Sequence, residues 1–391
     1  MHVSLGAMAR CLLLATTLCV GAVTAVSATT AAPPALTDSY IVLLDDSVAD
    51  PAAVADEYLG DSAQPTFVYR HAVKGFAAPL TSTAVAALLV DPRVTSVELD
   101  GTMQASTTQA TGPDYWNLDR IDQAARPTNG SFTYTSTGAG VTAYVIDSGI
   151  RFTHTQFGGR AVTGYDAIDG GAADDCNGHG THVAGTVGGS SVGVAKTVSL
   201  IGVRVLDCNG NGATSGVIAG VDWVTGHHAA GSPAVANMSL GGGANTTLDA
   251  AVNNAINDGI TFSVAAGNGD WRGRHQNACN YSPARVANAI TIGATDKVDK
   301  KASFSNYGNC VDWFAPGVSI LSSWHTGDTA GAFLDGTSMA SPAVAGVAAQ
   351  YLQLNPSASP ASVRAALFAL TTKAIVTNSL TTNNHLLFTN L

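Results

Sequence analysis

Val141-Thr-Ala-Tyr-Val-Ile146, followed at once by Asp147-Ser148-Gly149, sets the architecture of this chain. The run is apolar or β-branched with almost no polar alternation, the pattern of a strand covered on both faces. Similar runs lie at 200–206, 235–240, 261–266 and 289–293, with helical stretches such as 214–227 and 247–258 between them. Strands alternating with helices predict an α/β fold, a parallel sheet sandwiched by helices. In such sheets functional groups gather outside the carboxyl ends of the strands, where Asp147 stands.

Four side chains fall at strand ends or helix starts. Asp147 alone reads as a turn former, as in any Asp-Ser-Gly. His179 lies in Asn177-Gly-His-Gly-Thr-His-Val-Ala-Gly185, where glycines leave clearance that serves a substrate better than a core. Ser338 lies in Gly336-Thr-Ser-Met-Ala-Ser-Pro-Ala-Val-Ala-Gly346, at the start of a helix of small residues with Pro342 near its beginning. That position suits an N-cap, and equally a nucleophile whose oxyanion meets free N–H groups. Asn268 closes Phe262-Ser-Val-Ala-Ala-Gly-Asn268, placing an amide at the mouth of the crevice. Singly each has a bland reading; together they supply nucleophile, base, orienting acid and oxyanion donor. The chain order Asp, His, Ser is that of subtilisin rather than chymotrypsin, and Gly336-Thr-Ser-Met-Ala340 lacks the second glycine of a hydrolase nucleophile elbow.

The rest of the chain frames this domain. Its 391 residues suffice for two folded parts, and its net charge of −10 argues against nucleic-acid binding through basic patches. The apolar run from Cys11 to Val26, closed by Val26-Ser27-Ala28, is shorter than the ~20 residues that span a bilayer and reads as a secretory leader, residues 1–28. No comparable run follows, so no membrane association is expected once the leader is removed. Residues 29–107 carry a strand–helix–strand–strand–helix–strand order, the split βαβ pattern of a small ferredoxin-like α+β unit. Residues 100–113 turn to Thr, Gln, Ala and Gly and read as an exposed seam before the main domain, residues 108–391. Beyond the leader, Cys176, Cys208, Cys279 and Cys310 remain, and their spacing alone leaves three pairings open.

Asp147-Ser-Gly, His179-Gly-Thr-His-Val-Ala-Gly and Gly336-Thr-Ser-Met-Ala-Ser-Pro resemble the three signatures of the subtilase serine endopeptidases, most closely the secreted aqualysin-type enzymes of the proteinase K-like branch. Ala236-Asn-Met-Ser-Leu-Gly-Gly-Gly243 and Ser303-Phe-Ser-Asn-Tyr-Gly308 are also similar to that branch, and Tyr40-Ile-Val with Val73-Lys-Gly-Phe-Ala-Ala resembles its inhibitor prodomain. The resemblance implies Ser338 as nucleophile, His179 as general base and acid, Asp147 as its orienting partner, and Asn268 with the Ser338 N–H as oxyanion hole. It further implies a first specificity pocket walled by Ser239, Leu240, Gly241, Ala265, Ala266 and Gly267, with Gly210 and Gly212 flanking the peptide. Such edges hold an extended peptide by its backbone, so specificity should be broad, with apolar or aromatic residues at P1. Also implied are the pairings Cys176–Cys208 and Cys279–Cys310, and a structural calcium held by the Ala287 and Ala289 carbonyls with Asp312. A second calcium at Asp119, Asp122 and Gln123 is a weaker implication. The expected partners are protein and peptide substrates and the chain's own prodomain, acting on a monomer.

A different class of function stays open on spacing. Cys176-x-x-His179-x-x-His182, completed by Asp174 or Asp175, has the arrangement of a metal-binding module, although it leaves Asp147, Asn268 and Ser338 unused.

Overall fold

The computed structural model describes residues 38–59, 63–105, 108–110, 115–270 and 272–391; the leader expected at residues 1–28 lies outside them. Seven strands form one sheet, ordered across it Trp313–Pro316, Ile290–Thr295, Thr261–Ala265, Ala234–Met238, Thr142–Asp147, Ser199–Arg204 and Ala161–Asp166. Every neighbouring pair is parallel. From Thr142–Asp147 the chain builds toward one edge, then returns to Ala234–Met238 and builds toward the other. The switch in strand order therefore falls beside Asp147, where a crevice opens in folds of this kind.

Period-two alternation explains the unbroken apolar run. Ala143 and Val145 face a core shared with helices His179–Gly188 and Thr337–Leu354, through Val183, Val187 and Val344. Tyr144 and Ile146 face the opposite core, with Val217 and Val252 of helices Thr214–His227 and Thr246–Asn257. Both faces of the strand are buried, so both must be apolar. Of these seven, the strands not anticipated from sequence are the two edges. Ala161–Asp166 exposes Val162 and Thr163, and Trp313–Pro316 is four residues ending in proline.

Pro342 lies inside helix Thr337–Leu354, where it lacks the N–H that would bond the Ser338 carbonyl one turn earlier. Ser239 Oγ donates to that carbonyl instead, at 2.8 Å. The proline therefore opens a position in the helix ladder through which the helix start is tied to the neighbouring strand end.

The N-terminal unit has the expected order of elements. Its antiparallel sheet runs Phe67–Tyr69, Gly75–Leu80, Asp38–Leu44, Val94–Leu99, and helices Pro51–Leu59 and Ser82–Leu88 cover one face over Val42, Leu44, Phe76 and Leu88. The other face, with Ile41, Tyr69, Val73 and Ala77, packs into the core beside Thr214–His227 and Thr246–Asn257. Asp222, on the first of these helices, accepts the N–H groups of Arg70, His71 and Ala72 at 3.1, 2.7 and 2.9 Å. Asp100 Oδ1 accepts the Ser215 N–H at 2.7 Å, and Glu98 bonds the Thr246 hydroxyl; both carboxylates thus sit at the positive ends of the two helices.

The stretch expected to be an exposed seam contains two strands. Residues Thr102–Ala105 and Thr108–Ala110 pair with edges of the main domain. Local composition did not reveal them because their partners are distant in sequence.

Candidate active site

Asp147 ends its strand and His179 begins its helix. His179 Nδ1 lies 2.6 Å from Asp147 Oδ1, and both side chains are buried. A nitrogen facing a carboxylate carries the hydrogen, so Nε2 presents the lone pair. That Nε2 is buried and makes no hydrogen bond among the described residues. The Ser148 N–H donates to the same Asp147 oxygen at 2.7 Å.

Asp175 organises the loop before His179. Its Oδ1 accepts from Asn177 N, Gly178 N and Ser148 Oγ at 2.9, 2.8 and 2.9 Å. Its Oδ2 accepts from Thr181 N and Oγ1 at 2.9 and 2.6 Å. Ser148 Oγ in turn accepts the Gly180 N–H at 2.9 Å. One carboxylate therefore joins the strand end bearing Asp147 to the helix start bearing His179. An acidic residue just ahead of a helix start was the available sequence signal, but it does not reveal a link to Ser148.

The disulfides are Cys176–Cys208 and Cys279–Cys310, and the first closes this same loop. With Cys176 bonded to sulfur, the spacing that suggested a metal module no longer offers a thiolate. His182 Nε2 is spent on the carbonyls of Ile320 and Ala332 at 2.9 and 3.1 Å, and burial pushes its pKa down to about 3. No group of three or more His, Cys, Asp or Glu side chains assembles as a metal cage among the described residues.

Ser338 is the second residue of helix Thr337–Leu354, so its N–H belongs to the first turn, whose N–H groups point out of the helix end. Its Oγ donates to the Ser239 carbonyl at 3.1 Å. Ser239 is fixed from behind: Asn237 Nδ2 donates to its Oγ at 2.8 Å, and Ser341 Oγ donates to Asn237 Oδ1 at 2.8 Å. Asn268 reaches the same helix start. Its Oδ1 accepts both the N–H and the hydroxyl of Thr337 at 2.8 Å. Because the Thr337 N–H is a donor, the amide oxygen must face it, and the NH2 end is directed elsewhere.

A cavity of about 260 Å³ adjoins Ser338 and Asn268; Ser239, Leu240, Gly241, Ala265, Ala266 and Gly267, the expected walls, all line it. Tyr281 and Asn306, not anticipated, line it too. Strand Thr102–Ala105 lies antiparallel between two edges, Met103 opposite Gly212 on one side, Gln104 and Ala105 opposite Gly241 and Leu240 on the other. Gly210 occupies the turn leading into the first edge, its φ of 77° in the left-handed region. Beyond this, Thr108–Ala110 pairs with Gly331–Asp335, Thr108 opposite Asp335, which precedes Gly336 and the helix of Ser338.

The implied calcium donors are hard oxygens, as that cation prefers. Asp312 Oδ2 accepts the Thr291 N–H at 2.8 Å, which sets the carboxylate beside the loop of Ala287 and Ala289. Its Oδ1 is paired with Arg364. The donor chemistry fits, but a cation there competes with a guanidinium. At the weaker second site, Asp119 accepts from Asn129 N and Gly130 N, and Asp122 from Thr133 N, so backbone donors already engage both carboxylates.

Residues 138–387 match the subtilase family of peptidases. This chain belongs to the subtilase family. Residues 39–106 match the peptidase inhibitor I9 family, which makes the N-terminal unit the subtilase's inhibitor prodomain. The subtilase is 56% identical over 313 residues to the extracellular serine proteinase of Thermus sp. (strain Rt41A), a match covering 80% of this chain and 74% of that protein. It is 50% identical over 334 residues to alkaline serine exoprotease A of Vibrio alginolyticus, covering 84% of this chain and 60% of that protein. The crystal structure of a cold adapted subtilisin-like serine proteinase is 51% identical, with a TM-score of 0.67 over 70% of this chain and 97% of its own. The subtilase is thus a serine endopeptidase. Among its described residues, no helix is long and apolar enough to cross a membrane.

Proposed function

We propose that this subtilase is a secreted, monomeric, self-processing endopeptidase in which Ser338 attacks the scissile carbonyl. His179 Nε2 takes the Ser338 proton as the C–O bond forms and delivers it to the leaving amine as the C–N bond breaks. Asp147 holds the imidazole in the required tautomer. Asn268 and the Ser338 N–H receive the oxyanion, and one such side-chain donor is worth about 3–4 kcal/mol of transition-state stabilisation. Water then repeats the sequence on the acyl-enzyme. All these groups come from one chain, which supports action as a monomer. Secretion is supported by the leader-like N-terminus and by the extracellular Thermus relative.

The observation that carries this reading is the placement of Thr102–Ala105 between the two edges, with Thr108–Ala110 continuing on the far side of Ser338. That is how an extended substrate would lie, and it supports a maturation cut in the link joining Ala105 to Thr108. The small, apolar walls of the adjoining cavity support an apolar or aromatic P1 preference. A structural calcium beside Asp312 belongs to the same proposal; adding calcium to chelator-treated enzyme should raise Tm, more so in Arg364→Gln.

The test is the Ser338→Ala precursor, purified away from other proteases. It should remain uncut, while wild type yields a new N-terminus at Ser106, Thr107 or Thr108. Accumulation of mature-sized Ser338→Ala protein overturns self-processing.

A further inference from the structure

Asn306 is 1% exposed and makes its hydrogen bonds around the segment that carries Asn268. Its backbone N–H donates to the Gly267 carbonyl at 2.9 Å, and Nδ2 donates to the Ala266 carbonyl at 2.9 Å. Its Oδ1 accepts the N–H groups of Gly269 at 3.1 Å and Gln276 at 2.7 Å. Asn306 therefore grips the backbone on both sides of Asn268 without touching the Asn268 amide by any of these bonds.

The local conformation makes such a grip necessary. Gly267 and Gly269 have φ values of 97° and 88°, in the region that only glycine adopts readily. Two permissive residues around Asn268 give it a hinge on either side, and little in the segment itself restrains them. Asn306 removes that freedom from outside. The approach is close: a Cβ on Gly267 would lie 2.5 Å from Asn306 Nδ2. Thr337 clamps the Asn268 side chain through Oδ1, and its Oγ1 accepts the Gly267 N–H at 3.1 Å, but neither contact reaches Gly269 on the other side. Catalytic donors must be held to within about 0.5 Å to be effective.

We propose that Asn306 is a positioning residue for the oxyanion hole, holding the Ala266–Gly269 backbone so that Asn268 meets the charge that develops in the transition state. This rests on the reading of Asn268 as the oxyanion donor. The role is indirect, so a change at Asn306 should lower kcat while substrate binding along the groove edges persists.

The experiment compares Asn306→Ala, Asn306→Asp, Asn268→Gly and the double variant Asn268→Gly/Asn306→Ala. Each is expressed as the whole precursor, matured with added wild-type enzyme that is then removed, and normalised by titrating active serines. Asn306→Asp keeps the acceptors for Gly269 and Gln276 but replaces the donor to Ala266 with an oxygen that repels that carbonyl, so it tests the same contact without opening a cavity if Asn306→Ala does not fold. Asn268→Gly should lower kcat by about 10²–10³-fold on a chromogenic peptide. Asn306→Ala should lower kcat about 10–100-fold, with KM changed less than about threefold, and should weaken a peptide aldehyde that mimics the tetrahedral intermediate by a similar factor. In the Asn268→Gly background the same change should cost less than about threefold. Full additivity in the double variant, or unchanged kcat in folded Asn306→Ala and Asn306→Asp, overturns the positioning role. Unchanged kcat in Asn268→Gly overturns the reading of Asn268 itself.

Discussion

Asp147 Oδ1 and His179 Nδ1 are 2.6 Å apart, buried together at the carboxyl end of the central sheet. The second oxygen of Asp147 has no hydrogen-bond partner among the described residues, so the carboxylate's fixed contacts are the imidazole and the Ser148 N–H. Asp147→Asn preserves the shape but removes the negative charge that stabilises the imidazolium formed as His179 takes the Ser338 proton. The expected result is a kcat lower by roughly 10⁴-fold with little change in KM. Steady-state kinetics on a chromogenic peptide check it.

Asp175→Ala removes the acceptor for five donors around the His179 loop. Buried donors left unpaired cost about 1–3 kcal/mol each, and some of these will find water, so a net loss of roughly 2–4 kcal/mol is expected. A kcat reduction of at least about tenfold should accompany it, since the loop positions His179. Thermal unfolding and kinetics on the same preparation separate the two effects.

His182 makes stability depend on pH with a definite sign. Burial lowers its pKa to about 3 in the folded protein, whereas the unfolded chain protonates it near its usual value of about 6.5. Between those values the unfolded state holds the extra proton, so stability falls as pH drops through that window and is fully present above it. Denaturant unfolding at a series of pH values should show this slope, and His182→Gln should flatten it.

Asp222 receives three consecutive N–H groups of the prodomain. Asp222→Ala should weaken inhibition of the mature enzyme by separately added prodomain by about 10–100-fold, the range for losing charge-assisted hydrogen bonds. Turnover of short peptides should be unchanged, because Asp222 lies about two turns along its helix, away from the end that follows the Gly212 edge. An inhibition assay against mature variant and wild type reads both quantities.

Much of this molecule is legible in its amino acids, and the limits have physical causes. The central strands were readable because burial on both faces demands an uninterrupted apolar run, as in Thr142–Asp147. The edge strand Ala161–Asp166 was not, because it exposes part of its surface. Asp147, His179, Ser338 and Asn268 could be singled out as candidates because each ends or starts an element in a recognisable motif. Asp175 and Asn306 were printed within or beside such motifs, yet their roles depend on backbone groups that no side-chain pattern records. The pairing of Thr102–Ala105 with Gly212 and Gly241 was hidden for the same reason, since edge strands recognise backbone. Arg364 was missed as the partner of Asp312 because the two are far apart in sequence and meet only through folding.

The most direct test of the central claim is to titrate matured enzyme with a serine-directed sulfonyl fluoride, following casein hydrolysis and peptide mass together. One equivalent attached to Ser338, with activity falling in proportion, is the result this account requires. Full casein hydrolysis after Ser338 is modified, or complete inactivation with the label on another residue, would contradict it.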